Sequence, residues 1–214
     1  MRLSFLHTIE SNPAIFEGAA RRAGVPAAQL RHAIRADLRV AMAHRPDLEA
    51  QSQVHQVLRE LATGADAVVV TCASLGKAAD AITGLPVPIV RADRALAEAA
   101  SRAGHEIVVL CALEATVELN RALFADAAAA SGARVTLRLV PHAWELFQEQ
   151  ALDASLAACA AAAREAYAQG ADVVAFAHPW MAPAGDRLEG GPRPLDAATA
   201  ALQAALAARS PQAA

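Results

Sequence analysis

A cysteine and a histidine stand at matching places in two related stretches of this chain. The first, Gly64 to Gly76, reads as a helix stop, a buried strand of valines and a turn that carries Cys72. The second, Gly170 to Trp180, opens with the same Gly-Ala-Asp and has His178 where the first has Cys72. Thiols and imidazoles are the side chains best suited to exchange protons near neutral pH. Thr71 and Ser74 flank the cysteine with hydroxyls, and the free N–H groups of a helix start beyond it suit a carboxylate. Each residue also has a plainer reading. A cysteine after a buried strand is commonly a small core residue, and a histidine before Pro179 and Trp180 serves equally well in a hydrogen-bonded turn.

The elements that must hold the pair follow from the chain's punctuation. Residues 3–8 read as a strand, Asn12 as the N-cap of a helix with Pro13 behind it, and Leu30 to Leu38 as a second strand. A helix from Pro46 to Ala62 stops at Gly64, and Ala67 to Thr71 is a strand covered on both faces. A short helix over Leu75 to Ile82, a strand over Pro86 to Val90 and a helix from Asp93 to Gly104 complete the first half. The order then restarts: strand Glu106 to Leu113, helix Thr116 to Ser131, strand Val135 to Val140, helix Leu152 to Gln169, strand Val173 to Ala177. A Gly/Pro-rich loop from Ala182 to Pro194 leads to a last helix near Leu195–Ala208, with a frayed tail from Ser210.

Alternating strands and helices predict parallel βαβ units and open α/β sheets with helices on both faces. Leu58 to Asp66 aligns with Arg164 to Asp172 at an offset of 106, and Leu3–Thr8 aligns with Ile107–Ala112 at nearly the same offset. The expectation is two similar lobes, pseudo-twofold related: residues 1–92 with 195–214, and residues 93–194. Ligands of open parallel sheets bind beyond the carboxyl ends of the strands, where Cys72 and His178 both fall, so a cleft between the lobes is the expected site. By the same symmetry Thr8 and Thr116 join Thr71, Ala73, Ser74 and Pro179 as candidate substrate contacts.

Composition narrows the classes. Of 214 residues, 55% are hydrophobic and 19% charged, the balance of a globular domain rather than a disordered chain. A net charge of −3 leaves no basic footprint for nucleic acid, and no apolar run is long enough to span a membrane. Three widely spaced cysteines argue for a reducing compartment, so the cytoplasm is expected; Cys111 and Cys159 read as packing. The other histidines, at 7, 32, 44, 55, 105 and 142, show no ligand spacing, so no metal is expected. Ser74-Leu-Gly-Lys77 matches S-x-x-K, but its S-D-N and K-T-G companions are absent, as are the dinucleotide and P-loop fingerprints.

Two tandem lobes, with Val68 to Gly76 ending the first lobe's strand, resemble the aspartate/glutamate/hydantoin racemase superfamily. Leu6 to Pro13, Pro86 to Asp93 and Val108 to Thr116 are similar to that group as well, and the resemblance runs from about residue 3 to 183. It implies an isomerase of amino-acid metabolism that moves a proton, without a cofactor, at the carbon next to a carboxylate. Family members use two opposed cysteines. Cys72 matches the first, whereas Ala177-His178-Pro179 stands where the second and a small hydroxyl residue are expected. The implied activity is a racemase using Cys72 and His178. The alternatives are a decarboxylase or other lyase using one cysteine, and a non-catalytic carboxylate binder. The implied partner is a small carboxylate or amino-acid-like substrate, with a homodimer as the family's usual assembly.

Overall fold

The computed structural model describes residues 1–44 and 47–208. They divide into two compact units, Met1–Ala92 joined by the segment from Ala198, and Asp93–Ala197. The first unit contains β1 (Leu3–His7), α1 (Asn12–Arg22), β2 (Leu30–Ile34), α2 (Ala36–His44), α3 (Leu48–Ala62), β3 (Ala67–Val70), α4 (Gly76–Ala81) and β4 (Ile89–Arg91). Then come α5 (Ala92–Ala103), β5 (Glu106–Cys111), α6 (Val117–Ala128), β6 (Arg134–Leu139), α7 (Ala143–Gln148), α8 (Leu152–Ala168), β7 (Val173–Phe176), β8 (Leu195–Asp196) and α9 (Ala197–Ala207).

Each unit has one parallel four-stranded sheet, ordered β2-β1-β3-β4 and β6-β5-β7-β8, with helices on both faces. The two orders are the same. Every residue of β1, β3 and β7 is buried, as continuous apolar runs in a doubly covered parallel sheet require. On one face of the first sheet, Leu6, Val68 and Val70 pack under Leu38, Val54, Leu58 and Leu61 of α2 and α3. On the other, Phe5 meets Phe16 of α1 with ring centres 5.5 Å apart. Among the described residues, no helix is long and apolar enough to cross a membrane.

The repeat holds at the level of single hydrogen bonds. Asp66 N–H donates to Arg2 O and Asp172 N–H to Glu106 O, each at 2.8 Å. The Asp66 carboxylate accepts Arg2 N–H, and that of Asp172 accepts the N–H groups of His105 and Glu106. Gly64 (φ +74°) and Gly170 (φ +94°) release α3 and α8 into these strands through left-handed backbone.

Several elements depart from the sequence-based expectation. The strand placed over Leu30 to Leu38 ends at Ile34, and Ala36 opens a helix instead. Arg35 N–H continues the sheet by donating to His7 O, while its guanidinium grips Asp37 at 2.6 Å in the first turn of α2. Asn12 is not a cap: Ser11 precedes the helix without a side-chain capping bond, and Asn12 turns inward, 1% exposed. Residues 182–187 of the expected loop belong to a 3-10 helix, Pro179–Arg187, a form that accommodates Pro183. Leu195–Asp196 pairs with β7 as a strand, so the last helix starts at Ala197. The short α7 was not anticipated. Pro46, the expected start of the third helix, and the tail from Ser210 lie outside the described residues.

Candidate functional site

Thr71 extends β3 by one rung, its N–H donating to Leu6 O at 3.1 Å. Cys72 follows in extended backbone (φ −119°, ψ 119°), and Ala73–Leu75 turn through a single 3-10 loop before α4 begins at Gly76. The thiol is therefore at the carboxyl end of the sheet and half-buried, as are Ala73 and Ser74. The helix start expected immediately behind it is this three-residue turn followed by a six-residue helix, a smaller dipole than a long helix supplies. Gly76 packs against the guanidinium of Arg91, which reaches over from β4 and binds Asp80 at 2.5 Å.

On the Phe5 face of the same sheet, away from the Leu6 and Val70 cluster that Cys72 packs against, lies a chain of polar side chains that spacing does not reveal. Thr71 Oγ1–H donates to Leu6 O at 3.1 Å, and the same oxygen meets His7 Nδ1 at 3.0 Å. A hydroxyl has one hydrogen; with it on Leu6 O, His7 Nδ1–H is the donor to Thr71 and His7 Nε2 carries a lone pair. That lone pair faces His32 Nδ1 at 2.8 Å, which is then the next donor. His32 Nε2 ends the chain 3.8 Å from Glu17 Oε1, sealed from solvent and without a hydrogen bond. Burial, reinforced by the charge of His32, pushes His7 down to about 3. Burial also lowers His32, with Glu17 pulling the other way. Both rings stack with Phe5. The register explains the encounter, because β1 sets Phe5 opposite His32.

Two more polar atoms at this end have no partner. Thr8 Oγ1 and Asn12 Oδ1 are both buried and unbonded. Buried polar atoms are rarely left so, and a donor from a bound molecule would satisfy Asn12. Asn12 was read only as a cap and so was missed as a candidate.

The second unit repeats the backbone and changes the side chains. Ala177 N–H donates to Leu110 O at 3.0 Å, His178 is extended (φ −111°, ψ 133°), and Met181 N–H closes the turn on His178 O. Leu75 N–H closes on Cys72 O in the same way, so His178 is the structural counterpart of Cys72. His178 keeps a partly exposed edge, but its Nε2 is sealed and unpartnered, and burial pulls the ring down to about 4. It is a neutral imidazole at pH 7. It lies parallel to Trp180 with ring centres 6.1 Å apart, and Phe147 of α7 stacks on Trp180 at 4.4 Å. Trp180 Nε1 also lacks a partner. Pro179 is buried in this turn. Thr116 precedes α6 with its hydroxyl hydrogen donated to Leu113 O at 2.7 Å, leaving it only an acceptor role.

The candidates therefore fall into two groups. Thr8, Thr71, Cys72, Ala73 and Ser74 share the carboxyl end of the first sheet; Thr116, His178 and Pro179 share that of the second. Cys111 and Cys159 are fully buried, and burial pushes both thiols up to about 12.

No family model and no curated protein sequence matches this chain. Solved structures do. An aspartate racemase homologue from Pyrococcus horikoshii OT3 superposes with a TM-score of 0.67 at 12% identity, covering 96% of this chain and 97% of its own. The allantoin racemase of Klebsiella pneumoniae gives 0.64 at 16%, over 98% and 90%. Arylmalonate decarboxylase gives 0.63 at 16%, over 100% and 94%. The chain shares its fold with these solved structures.

Proposed function

We propose that the chain is an enzyme of cofactor-independent proton transfer at a carbon next to a carboxylate, a racemase-like isomerase with Cys72 and His178 as its acid and base. The observation that carries this reading is the equivalence of the two positions: a half-buried thiol and a neutral imidazole occupy the same rung beyond the third strand of identical sheets. The fold is shared with racemases and with a decarboxylase, which supports the reaction class and leaves the substrate open.

The protonation states fit one direction of such a reaction. A neutral His178 takes the α-proton, the electron pair of the broken C–H bond moves into an enolate, and the Cys72 thiol returns a proton to the carbon. The reverse turnover starts from thiolate and imidazolium. A base held near 4 is weak, and a bound carboxylate anion raises it toward the useful range. Thr8, with its free hydroxyl, and Ser74 are the proposed carboxylate contacts. Thr71 and Thr116 have already committed their hydroxyl hydrogens and serve as acceptors or supports.

Incubation in heavy water with a panel of amino acids and 2-substituted malonates, followed by proton NMR and chiral analysis, tests this. Loss of the α-proton signal with inversion is the expected result, and Cys72→Ala is expected to remove it. Exchange that persists in Cys72→Ala overturns the assignment of the thiol. His178→Gln is expected to stop inversion; inversion that continues removes His178 from the mechanism. A lyase reading has one observation in its favour, the neutrality of His178, which leaves Cys72 as the natural proton donor after loss of carbon dioxide. Carbon dioxide release from the malonates identifies it.

A further inference from the structure

We propose that α7 is a lid over Trp180, and that its lifting presents the indole N–H to a carboxylate oxygen of the substrate beside His178. In the second unit α7 takes the place that α2 takes in the first, after the edge strand of the sheet. The two helices are held differently. α2 is anchored by Leu38 and Met42, which pack in the first unit's core. α7 buries one of its six residues, Ala143, and meets the segment Pro179–Arg187 through stacked rings. Phe147 lies on Trp180 at 4.4 Å and Trp144 tilts toward it at 6.3 Å, both partly exposed. Among the described residues, no hydrogen bond joins α7 to Pro179–Arg187; its polar tie is to α8, where Ser155 Oγ–H donates to Ala143 O at 2.8 Å.

Both ends of α7 are left-handed joints. His142 (φ +58°) and Gln150 (φ +62°) are the non-glycine residues with positive φ among those described. Side chains enter this region at a cost that is recovered when the joint relaxes, so a second placement of α7 is within reach. What the present placement covers has an unmet bond. Trp180 is 3% exposed and its Nε1–H has no acceptor. An indole only donates, so the group that satisfies it must be an acceptor. His178 Nε2 is sealed and unbonded too, in a ring 8° from parallel to the indole with centres 6.1 Å apart. Apart from His178, the rings against Trp180 belong to α7. A carboxylate oxygen is the acceptor that the proposed reaction brings to this end of the sheet, and an ionised acceptor makes the stronger bond.

The inference rests on the reading of His178 as a reacting group, but the lid is tested without substrate. The chain has two tryptophans, Trp144 and Trp180, so nitrogen-15 labelling gives two indole N–H signals. Trp144→Phe keeps a ring against Phe147 and identifies the signal of Trp180. In deuterium oxide the Trp180 indole is expected to exchange by local opening, at least about a hundredfold faster than the backbone amides of β5 and β7. Phe147→Leu keeps an apolar side chain and removes the stack; it is expected to speed Trp180 exchange about three- to tenfold, the worth of one aromatic pair. Exchange of Trp180 in step with the sheet amides overturns the lid, as does an unchanged Trp180 rate in Phe147→Leu. Titration with acetate, malonate and glutamate tests the acceptor. The Trp180 indole proton is expected to move downfield and saturate, with a smaller movement at Trp144. A Trp180 signal that responds to none of the three overturns the carboxylate assignment. Failure of the reaction reading has a different mark: inversion that continues in His178→Gln removes His178 from the chemistry and leaves the exchange of Trp180 as it was.

Discussion

The two sheet ends carry one backbone and two chemistries. Hydrogen-bond register makes His7 the counterpart of Cys111, Thr8 of Ala112, Thr71 of Ala177, Cys72 of His178 and His32 of Leu137. In the first unit these positions form a bonded polar floor at the sheet end that carries the half-buried thiol. In the second they form an apolar floor at the sheet end that carries His178, an imidazole that burial keeps neutral. A repeated fold thus constrains where a reactive group stands, not which one it is. In the second unit the surroundings suit the group, since a neutral base needs only exclusion of water.

That contrast can be broken most sharply at the two cysteines. Cys72→Ser is expected to lower α-proton exchange by about 10³-fold or more, the scale of a lost acid or base. Cys111→Ser is expected to leave exchange within about threefold of wild type. Equal losses would mean that the floors and not the reacting group differ. Stability probes the floors themselves. His7→Leu strands the His32 donor and is expected to cost about 2–3 kcal/mol in urea unfolding, against about 1 kcal/mol for Cys111→Ala.

Acid sensitivity is expected in both units. His7 is held to about 3 and His178 to about 4, below the 6.5 of an unburied imidazole. Between those values the unfolded chain binds the protons first. Stability from this source is therefore complete above pH 6.5 and is lost as pH falls, down to about pH 4 for His178 and about pH 3 for His7. The slope is up to about 1.4 kcal/mol per pH unit for each group. Urea midpoints from pH 7 to 4.5 should fall, and His178→Gln should make this slope shallower. An unchanged slope in that variant would place the acid-sensitive group elsewhere. The smallest effect sharpens the likeness: Gly64→Ala and Gly170→Ala should each cost about 1 kcal/mol, equal in the two units, since both glycines hold left-handed backbone after a helix.

The parts of this arrangement that depend on local pattern were legible in the sequence. Glycine stops, valine runs and the echo of Gly64-Ala-Asp66 at Gly170-Ala-Asp172 led to parallel sheets in two copies and to the matching of Cys72 with His178. What was not legible depends on register and on context. His7 and His32 are 25 residues apart, and only the pairing of β1 with β2 brings them together. Asn12 carries the letters of a helix cap, yet its side chain turns inward, a choice made by the tertiary environment. The run from Leu30 to Leu38 conceals a strand and a helix because apolar residues continue across the junction at Arg35, where a backbone bond to His7 O and the grip on Asp37 mark the change.

The chain's last helix has a consequence for how the protein is made. The second unit is one unbroken segment, Asp93–Ala197, while the first is completed only by residues that follow it. The buried face of α9, with Ala198, Ala201, Leu202 and Ala205, is synthesised only after the whole of the second unit. On the ribosome the later unit has all its residues before the earlier one does. The sheet that carries Cys72 must therefore wait, its hydrophobic surface incompletely covered, until α9 has been made.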